Sequence, residues 1–590
     1  MYSNSFSHIK LSGHLSNRIQ ILKGTEQGHP LSPDLFKIFI SDLSPLLEIN
    51  DCPKLSHMPI SHLLWADDLI MLSLTPESSQ QQINKLEQFC NDWGIEINEI
   101  KTQAMVFRHN HLNISNLELN LYGKPLEIVD TYCYLGIELH YSGELRTAQE
   151  SLKIKAMRAF FGLKRTIIRS KLSFKALVTL FDSLIKPIVL YGAPIWTLLS
   201  SVIKFIHKYQ EITSKTFQNF IAKINRVTSE KVHLSFLKWA LGVHRKASNV
   251  GVWGETGRYP LIYQSIRLTL NYYNRISKSP KNSFIYAALM EQKHMKLPWY
   301  KNIENIIKLD DIYHIDHVTA HQAILSPNIK VSAKPQNTRH PIESLKSLSK
   351  VSPIPSKKFR VQSIIHVLSD HFIKCWEHEK SISSKLSFYH KIKTKFGRET
   401  YLDVSKSFAC RYSTSKLRIS SHDLEVERGR YKRVPREERV CEWCNISMGL
   451  KCVESEIHVL FECDLYADLR AKLIQNLKKS QSFHNHALPD QITSMNINNH
   501  TLKDNFMHLI SQYTSSNTNE SQPNFFNYHH ATPNKNCNKV SHDTDDIIDR
   551  RCYMVNCACT FTYRIFEKHK EYKNSLRQNN YLQKMITITF

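Results

Sequence analysis

The chain has 590 residues, with 78 Lys plus Arg against 53 Asp plus Glu, a formal charge of +25, and 42% hydrophobic residues. That length excludes a single small module, and that apolar content excludes disorder from want of a core. The excess positive charge favours a polyanionic partner, either nucleic acid or an anionic membrane. The longest strongly apolar stretch, Pro187 to Ser200 with Lys186 just before it, falls short of the roughly 18–20 residues of a spanning helix and reads as buried core. The first twenty residues lack a basic-then-apolar order, so an intracellular setting is expected. In a chain this long, 13 cysteines suit core positions and a metal site better than a disulfide framework.

In chain order, residues 1–140 alternate short apolar runs with turn residues and two helical patterns, which predicts an α+β domain. Strands are expected within Ile97–Phe107 and Tyr132–Leu139. A helix is expected from Thr75-Pro76, with Ile83, Leu86, Phe89 and Trp93 on one face. From Leu152 to Ile276 the period turns helical, and Lys153, Lys155, Arg158, Lys164, Arg165, Arg169, Lys171 and Lys175 are threaded between apolar positions. Residues 141–325 are therefore expected to be largely helical. Residues 326–358, rich in Pro, Ser and Lys, read as a linker, and 359–480 as a second mixed region. Residues 481–590 read as a polar, partly disordered tail.

Two features carry chemistry. Asp67 and Asp68 interrupt an apolar run, HLLWADDLIMLSL, so a hairpin tip there would hold two carboxylates against a core. Burying such charges is costly unless a cation neutralises them, and carboxylate oxygens select Mg²⁺ or Mn²⁺; the bland alternative is a solvated turn. Further on, Cys441-x2-Cys444-x13-His458-x4-Cys463 has the spacing of a small structural Zn²⁺ site, with Cys452 as a competing ligand and scattered core cysteines as the alternative. Arg428, Arg430, Lys432, Arg433 and Arg436 precede it and suit a phosphate backbone, with Tyr431 and Trp443 available for stacking; a solvated charge run is the duller reading.

Four blocks in order resemble the reverse transcriptases of non-LTR retrotransposons. Gly24-Thr25-Glu26-Gln27-Gly28-His29-Pro30-Leu31-Ser32-Pro33, with a helix from Asp34 to about Leu43, is similar to the family's GxxQGxxLSP block. Trp65-Ala66-Asp67-Asp68 resembles its [FY]ADD turn, Ile97-Asn98 with Lys101-Thr102 its asparagine-then-KT strand, and Tyr134-Leu135-Gly136 its primer-grip hairpin. The cysteine cluster is similar to the C-terminal knuckle of many such proteins, and Gly254-Glu255-Thr256-Gly257-Arg258-Tyr259-Pro260 to a block downstream of the polymerase to which no chemistry attaches.

The resemblance implies the remainder of a right-hand polymerase palm, then a helical thumb on the primer–template, then a zinc-knuckle region. Asp67 and Asp68 would hold Mg²⁺ or Mn²⁺, Lys101 would face the triphosphate, Gly24, Gln27, Gly28 and Trp65 would meet nucleotide and template, and Tyr134, Leu135 and Gly136 the primer. Implied partners are an RNA template, a DNA primer or target and deoxynucleoside triphosphates, without a membrane; nuclear residence follows from the family's target-primed mechanism. Oligomeric state is not legible. One departure stands out. The family's third carboxylate lies upstream of the glycine block, yet here the first Asp is Asp34, and the only earlier acid is Glu26. The expectation is an N-terminally truncated element protein, inactive as a polymerase by itself, with a non-catalytic nucleic-acid-binding protein as the alternative.

Overall fold

The computed structural model describes residues 6–21, 24–25, 28–108, 117–197, 214–310, 360–405, 407–482 and 556–576. The expected linker 326–358 and Gln27 lie outside the described residues. The chain folds as two units, Met1–Ser151 with Tyr272–Lys301, and Leu152–Asn271 with Asn302–Phe590.

All the strands among the described residues belong to the first unit, as six separate two-stranded antiparallel pairs. His62–Trp65 pairs with Asp68–Met71, Trp65 opposite Asp68, and Thr131–Tyr134 pairs with Ile137–His140, Tyr134 opposite Ile137. Against the first hairpin lies the helix Pro76–Trp93. Thr75 starts it by accepting a bond from the Ser78 N–H, Pro76 takes the first turn, and left-handed Gly94 ends it. Its period brings Ile83, Leu86 and Phe89 into the core with Leu43, Leu47, Leu119 and Leu121, beside Leu69 and Met71 of the hairpin. Trp93 instead lies at the rim, stacking on Phe89 and meeting Phe39 edge-on. Buried Gln82 pins helix to hairpin, donating to the Leu47 and Ser61 carbonyls at 3.0 Å.

Two local expectations need correction. The helix after the glycine block runs Ser32–Phe39 and restarts at Leu43–Leu46, because Ile40 leaves the helical range at ψ +7° and tighter turns follow, Ser41 N–H donating to the Ile38 carbonyl and Leu43 N–H to that of Ile40. Within Ile97–Phe107 the ladder is reduced to a single bridge, Ala104 to Ile128, since Asn98 bonds the following backbone into a turn instead.

The second unit is helical. Residues 359–480 are not a mixed region: the described part is helices such as Val361–Ile382 and Phe408–Arg418, joined by the isolated bridges Thr256–Arg398 and Val440–Val453. Of the Pro187–Ser200 stretch, Val189, Leu190, Ala193 and Trp196 are buried as expected, while Tyr191 and Ile195 are half exposed. Inside the expected polar tail, residues 556–576 form a helix that buries Cys559, Phe561 and Ile565.

At the centre of this unit sits the segment Gly254–Pro260. Its Glu255 is wholly buried and pairs with Arg418 at 2.5 Å; Arg418 reaches Glu399 at 2.8 Å, and Glu399 pairs with Lys393, each side chain no more than 1% exposed. Burial raises the Glu255 carboxyl to about 7, with the Arg418 charge opposing it. Space dictates the glycines here. A Cβ on Gly254 would meet Tyr389 and Trp376 at 2.4–2.6 Å, and one on Gly257, at φ +62°, would meet the Arg398 backbone at 2.2 Å. Arg258 meanwhile grips Asp182 through two N–H groups at 2.7 and 2.9 Å. The block is therefore a structural junction of this unit. Removing one partner of a buried ion network strands the others, so Arg418→Met is expected to lower unfolding free energy by about 3–5 kcal/mol; urea denaturation followed by circular dichroism measures it.

Candidate functional site

The acidic pair sits on a two-residue turn. Because Trp65 pairs with Asp68, Ala66 and Asp67 are its central residues, and Ala66 takes φ +53°, a left-handed value unusual for a residue with a Cβ. Both carboxylates are exposed, Trp65 is 68% exposed, and neither Asp makes an ion pair among the described residues. The expected burial against a core is thus corrected: apolar strand residues flank the pair, but the turn carries it out into solvent.

The second hairpin bears on the first. Leu135 and Gly136, at φ +47° and +81°, make the two-residue turn whose twist matches that of its strands. Burial, and then the negative charge of Asp68, pushes the Tyr134 phenol above its ordinary value, so the Tyr134 ring lies within electrostatic reach of the acid. Two of the four blocks thus lie within electrostatic reach of each other.

The other two stand differently. Gly24 and Gly28 both have positive φ, +87° and +89°, and an added Cβ would meet nothing within 4 Å, so an exposed bare backbone borders the Ser32–Phe39 helix. Lys101 is exposed on a turn, not at a strand end; its N–H donates to the Asn98 carbonyl and side-chain oxygen, each at 3.1 Å, and Thr102 Oγ1 donates to the same carbonyl at 2.9 Å. Asparagine, lysine and threonine form one knot. Among the described residues nothing bonds Lys101 to Asp67 or Asp68.

The second site is built from four side chains. Cys441 precedes the helix Glu442–Met448 that carries Cys444, while His458 and Cys463 bracket the turn His458–Glu462. All four are buried, with their ligand atoms within 4.8 Å of one another. Cys441 Sγ lies 3.9 Å and Cys444 Sγ 3.7 Å from Cys463 Sγ, and Cys444 Sγ lies 3.4 Å from His458 Nε2. A tetrahedral ion with Zn–S of about 2.3 Å and Zn–N of about 2.0 Å implies edges of about 3.8 and 3.5 Å, so the donor set fits zinc in type, number and spacing.

Glu462 faces the other ring nitrogen, His458 Nδ1, at 3.5 Å, the position of an orienting carboxylate behind a ligating imidazole. The Cys463 thiol donates to Cys441, which lowers the Cys441 thiol and raises that of Cys463, while burial raises Cys444. Cys452 stays out of the cluster; its carbonyl accepts the Cys441 N–H at 2.7 Å and its side chain packs against the surrounding core.

Sequence reasoning missed the partners of this site. Residues 556–576 lie along it: Tyr572 meets Trp443 edge-on at 5.6 Å, Lys573 pairs with Glu442 at 3.0 Å, and His569 bonds the Tyr466 hydroxyl at 2.9 Å. Trp443, expected to stack on bases, is packed against this helix. The distance of about a hundred residues along the chain left no local signal for that contact.

With the geometry in place, comparison with known proteins becomes informative. Residues 2–139 match the family described as reverse transcriptase (RNA-dependent DNA polymerase). Residues 2–139 thus form a reverse transcriptase domain similar to those of non-LTR retrotransposon proteins. The chain is similar to the RNA-directed DNA polymerase from mobile element jockey of Drosophila melanogaster, 24% identical over 36% of this chain and 23% of that protein. It is 31% identical to a transposon-derived protein of Caenorhabditis elegans over 25% of this chain and 54% of that one. It is also 25% identical to the Pol polyprotein of the type-1 retrotransposable element R2 of Nasonia vitripennis over 28% and 18%. The chain thus spans between about a fifth and about half the length of these relatives. No described helix is long and apolar enough to cross a membrane.

Separate fates are expected for the neighbouring cysteines Cys444 and Cys452. Cys444→Ser should lower bound zinc below one ion per chain and Cys452→Ser should leave it at one, as measured by plasma emission on the purified full chain.

Proposed function

We propose that this chain carries part of the machinery for template-directed addition of deoxynucleotides to a DNA primer on an RNA template. What supports the reading is the reverse transcriptase match over residues 2–139, within which Asp67 and Asp68 sit on an exposed hairpin turn and Leu135-Gly136 make a second one whose Tyr134 feels the charge of Asp68. A primer end held by Tyr134, Leu135 and Gly136 would lie next to Asp67 and Asp68. Gly24 and Gly28 offer open backbone to nucleotide and template, Gln27 a base- or sugar-edge partner, and Trp65 a large exposed ring next to the acids. Lys101, held by Asn98, supplies a cation for the triphosphate.

Carboxylate oxygens are the donors Mg²⁺ or Mn²⁺ takes, and Asp67 and Asp68 are the residues that would hold it. When bound, such ions activate a 3′-hydroxyl and offset charge on the leaving pyrophosphate. Among the described residues no third acid, His or Cys joins the pair. The protein's own share is accordingly incomplete: two exposed carboxylates retain a hydrated cation weakly, so residues 1–590 by themselves are a poor catalyst. Exposed Lys155, Arg158, Lys164, Arg165, Lys171 and Lys175 suit backbone phosphates, but Arg169 does not, since it donates to the Trp239 carbonyl at 2.5 Å and lies over Phe408. Zinc at Cys441, Cys444, His458 and Cys463 is structural in this reading, and the working compartment is the nucleus.

Primer extension on an RNA template tests it. Residues 1–590 should bind primer–template in a strongly salt-dependent manner and incorporate little nucleotide. Supplying an upstream polypeptide with an acidic palm strand should bring magnesium-dependent incorporation that Asp68→Ala abolishes. Incorporation indifferent to Asp68→Ala would remove the acidic pair from the chemistry.

A further inference from the structure

Three stretches far apart in sequence meet at Tyr431, the last residue of the helix Glu425–Tyr431, whose side chain is 54% exposed. Lys385 Nζ lies 3.2 Å from its hydroxyl and 5.4 Å from the ring centre, which puts that ammonium at the hydroxyl edge and off the ring face. Lys246 Nζ stands 5.7 Å from the ring centre. The same Lys385 donates to the Lys246 carbonyl at 3.4 Å, and Arg430 donates to the Ser384 carbonyl at 3.2 Å, so the turns bearing Lys246 and Lys385 are tied to this helix end.

The charges here are unbalanced. One buried acid, Glu427, faces the group; it holds Lys385 at 2.8 Å and Arg430 at 3.3 Å and so fixes them in place. Arg245, Lys246, Lys432 and Arg433 are exposed, and among the described residues none has a carboxylate partner. Lys238, whose ammonium donates to the Arg245 carbonyl at 2.9 Å, is lowered to about 8 by burial and then by the Lys385 charge. Lys246 stands over the exposed Tyr431 ring, and Arg245, Lys432 and Arg433 are the chain neighbours of these two residues, so positive charge without a carboxylate gathers on the segments that meet here and favours an anion. A partner with flat apolar faces and regularly spaced negative charges satisfies both halves of this surface; a membrane or an acidic peptide satisfies the charge alone.

We infer that Tyr431, with Lys246 at its ring and the exposed Arg245, Lys432 and Arg433 adjacent to these two in the chain, is a platform for single-stranded nucleic acid, with one base stacked on the ring and flanking phosphates on the cations. The surface differs from the run 428–436 read from sequence, for Arg428 and Arg430 are spent on Glu425 and Glu427, and Lys246 comes from nearly two hundred residues away. The inference rests on the nucleic-acid half of the reading above and is independent of whether the chain polymerises.

Fluorescence anisotropy on the full zinc-loaded chain tests it, using single-stranded DNA and RNA oligomers, an abasic oligomer of the same phosphate number, and anionic phosphatidylserine vesicles. Tyr431→Ala should weaken binding of both base-bearing single strands about 5- to 150-fold, the loss of one stacked base, and leave the abasic oligomer within about twofold. Tyr431→Phe keeps the ring and should bind like the parent, which also separates stacking from a folding defect. Lys246→Glu should weaken all three oligomers and flatten the salt dependence. Equal loss on base-bearing and abasic strands, no loss in Tyr431→Ala, or vesicle binding that depends on Tyr431 as strongly as oligomer binding would overturn the platform. Failure of primer extension in any form of the chain, with the Tyr431 dependence intact, would sink the polymerase reading and leave this one standing.

Discussion

The second unit depends on four buried charges that cancel: Glu255, Arg418, Glu399 and Lys393. Individually each would be intolerable in an apolar interior, since desolvating an ion costs several kcal/mol even after relaxation. Together they form a neutral chain with directional bonds, and the direction matters more than the energy. Glu255 belongs to the helix Asn249–Thr256, Arg418 ends Phe408–Arg418, and Lys393 and Glu399 flank the loop after the helix Ser387–Ile392. Three helical segments can thus meet in only one register, because any slip by a residue would leave a bare charge facing Trp376 or Tyr389.

The same logic accounts for the backbone around it. The Glu399 N–H donates to the Glu255 carbonyl at 3.0 Å, and Thr256 bridges Arg398, so two loops run against each other at strand distance. That approach leaves no room for side chains, and Gly254 and Gly257 stand where it is closest. Read as sequence, the block Gly254–Pro260 has no chemistry attached to it. Here its acid is buried, its arginine is committed to Asp182, and its glycines touch protein.

How much was legible follows from what each element's signal is made of. Local codes were readable. Thr75-Pro76 starts a helix as expected, and the hairpin that the resemblance implied at Tyr134-Leu135-Gly136 forms with Leu135-Gly136 as its turn. The four zinc-type ligands were readable because spacing constrains them, although Cys452 could be excluded only by seeing its carbonyl turned toward Cys441. Non-local facts were not readable. Sequence flanks suggested that Asp67 and Asp68 are held against a core, but period-2 alternation reports strand faces and says nothing of how far a turn projects. Lys101 looked like a strand residue until Asn98 was seen to take the backbone bonds a strand would need. Arg169 and Trp443 looked available for nucleic acid, and only tertiary contacts with Trp239, Phe408 and Tyr572 withdraw them.

The zinc-type cluster and the Tyr431 surface are joined by the polypeptide between them, which gives the cluster a role beyond holding its own loop together. The helix that ends in Tyr431 begins at Glu425, whose N–H donates to Glu454 Oε2 at 2.7 Å, and the Val426 N–H donates to the Glu454 carbonyl at 3.2 Å. Glu454 follows Val453, which bridges Val440 beside Cys441. Arg439 closes the frame, donating to the Val426 carbonyl at 2.8 Å, and packs so tightly on Gly429 that a Cβ there would meet its side chain at 2.5 Å. The fold of the ligand loop therefore fixes both the start and the roll of the Tyr431 helix. A ring that must present a face to a base needs that roll held closely, and the ligand loop holds it where a helix of only seven residues would otherwise fray.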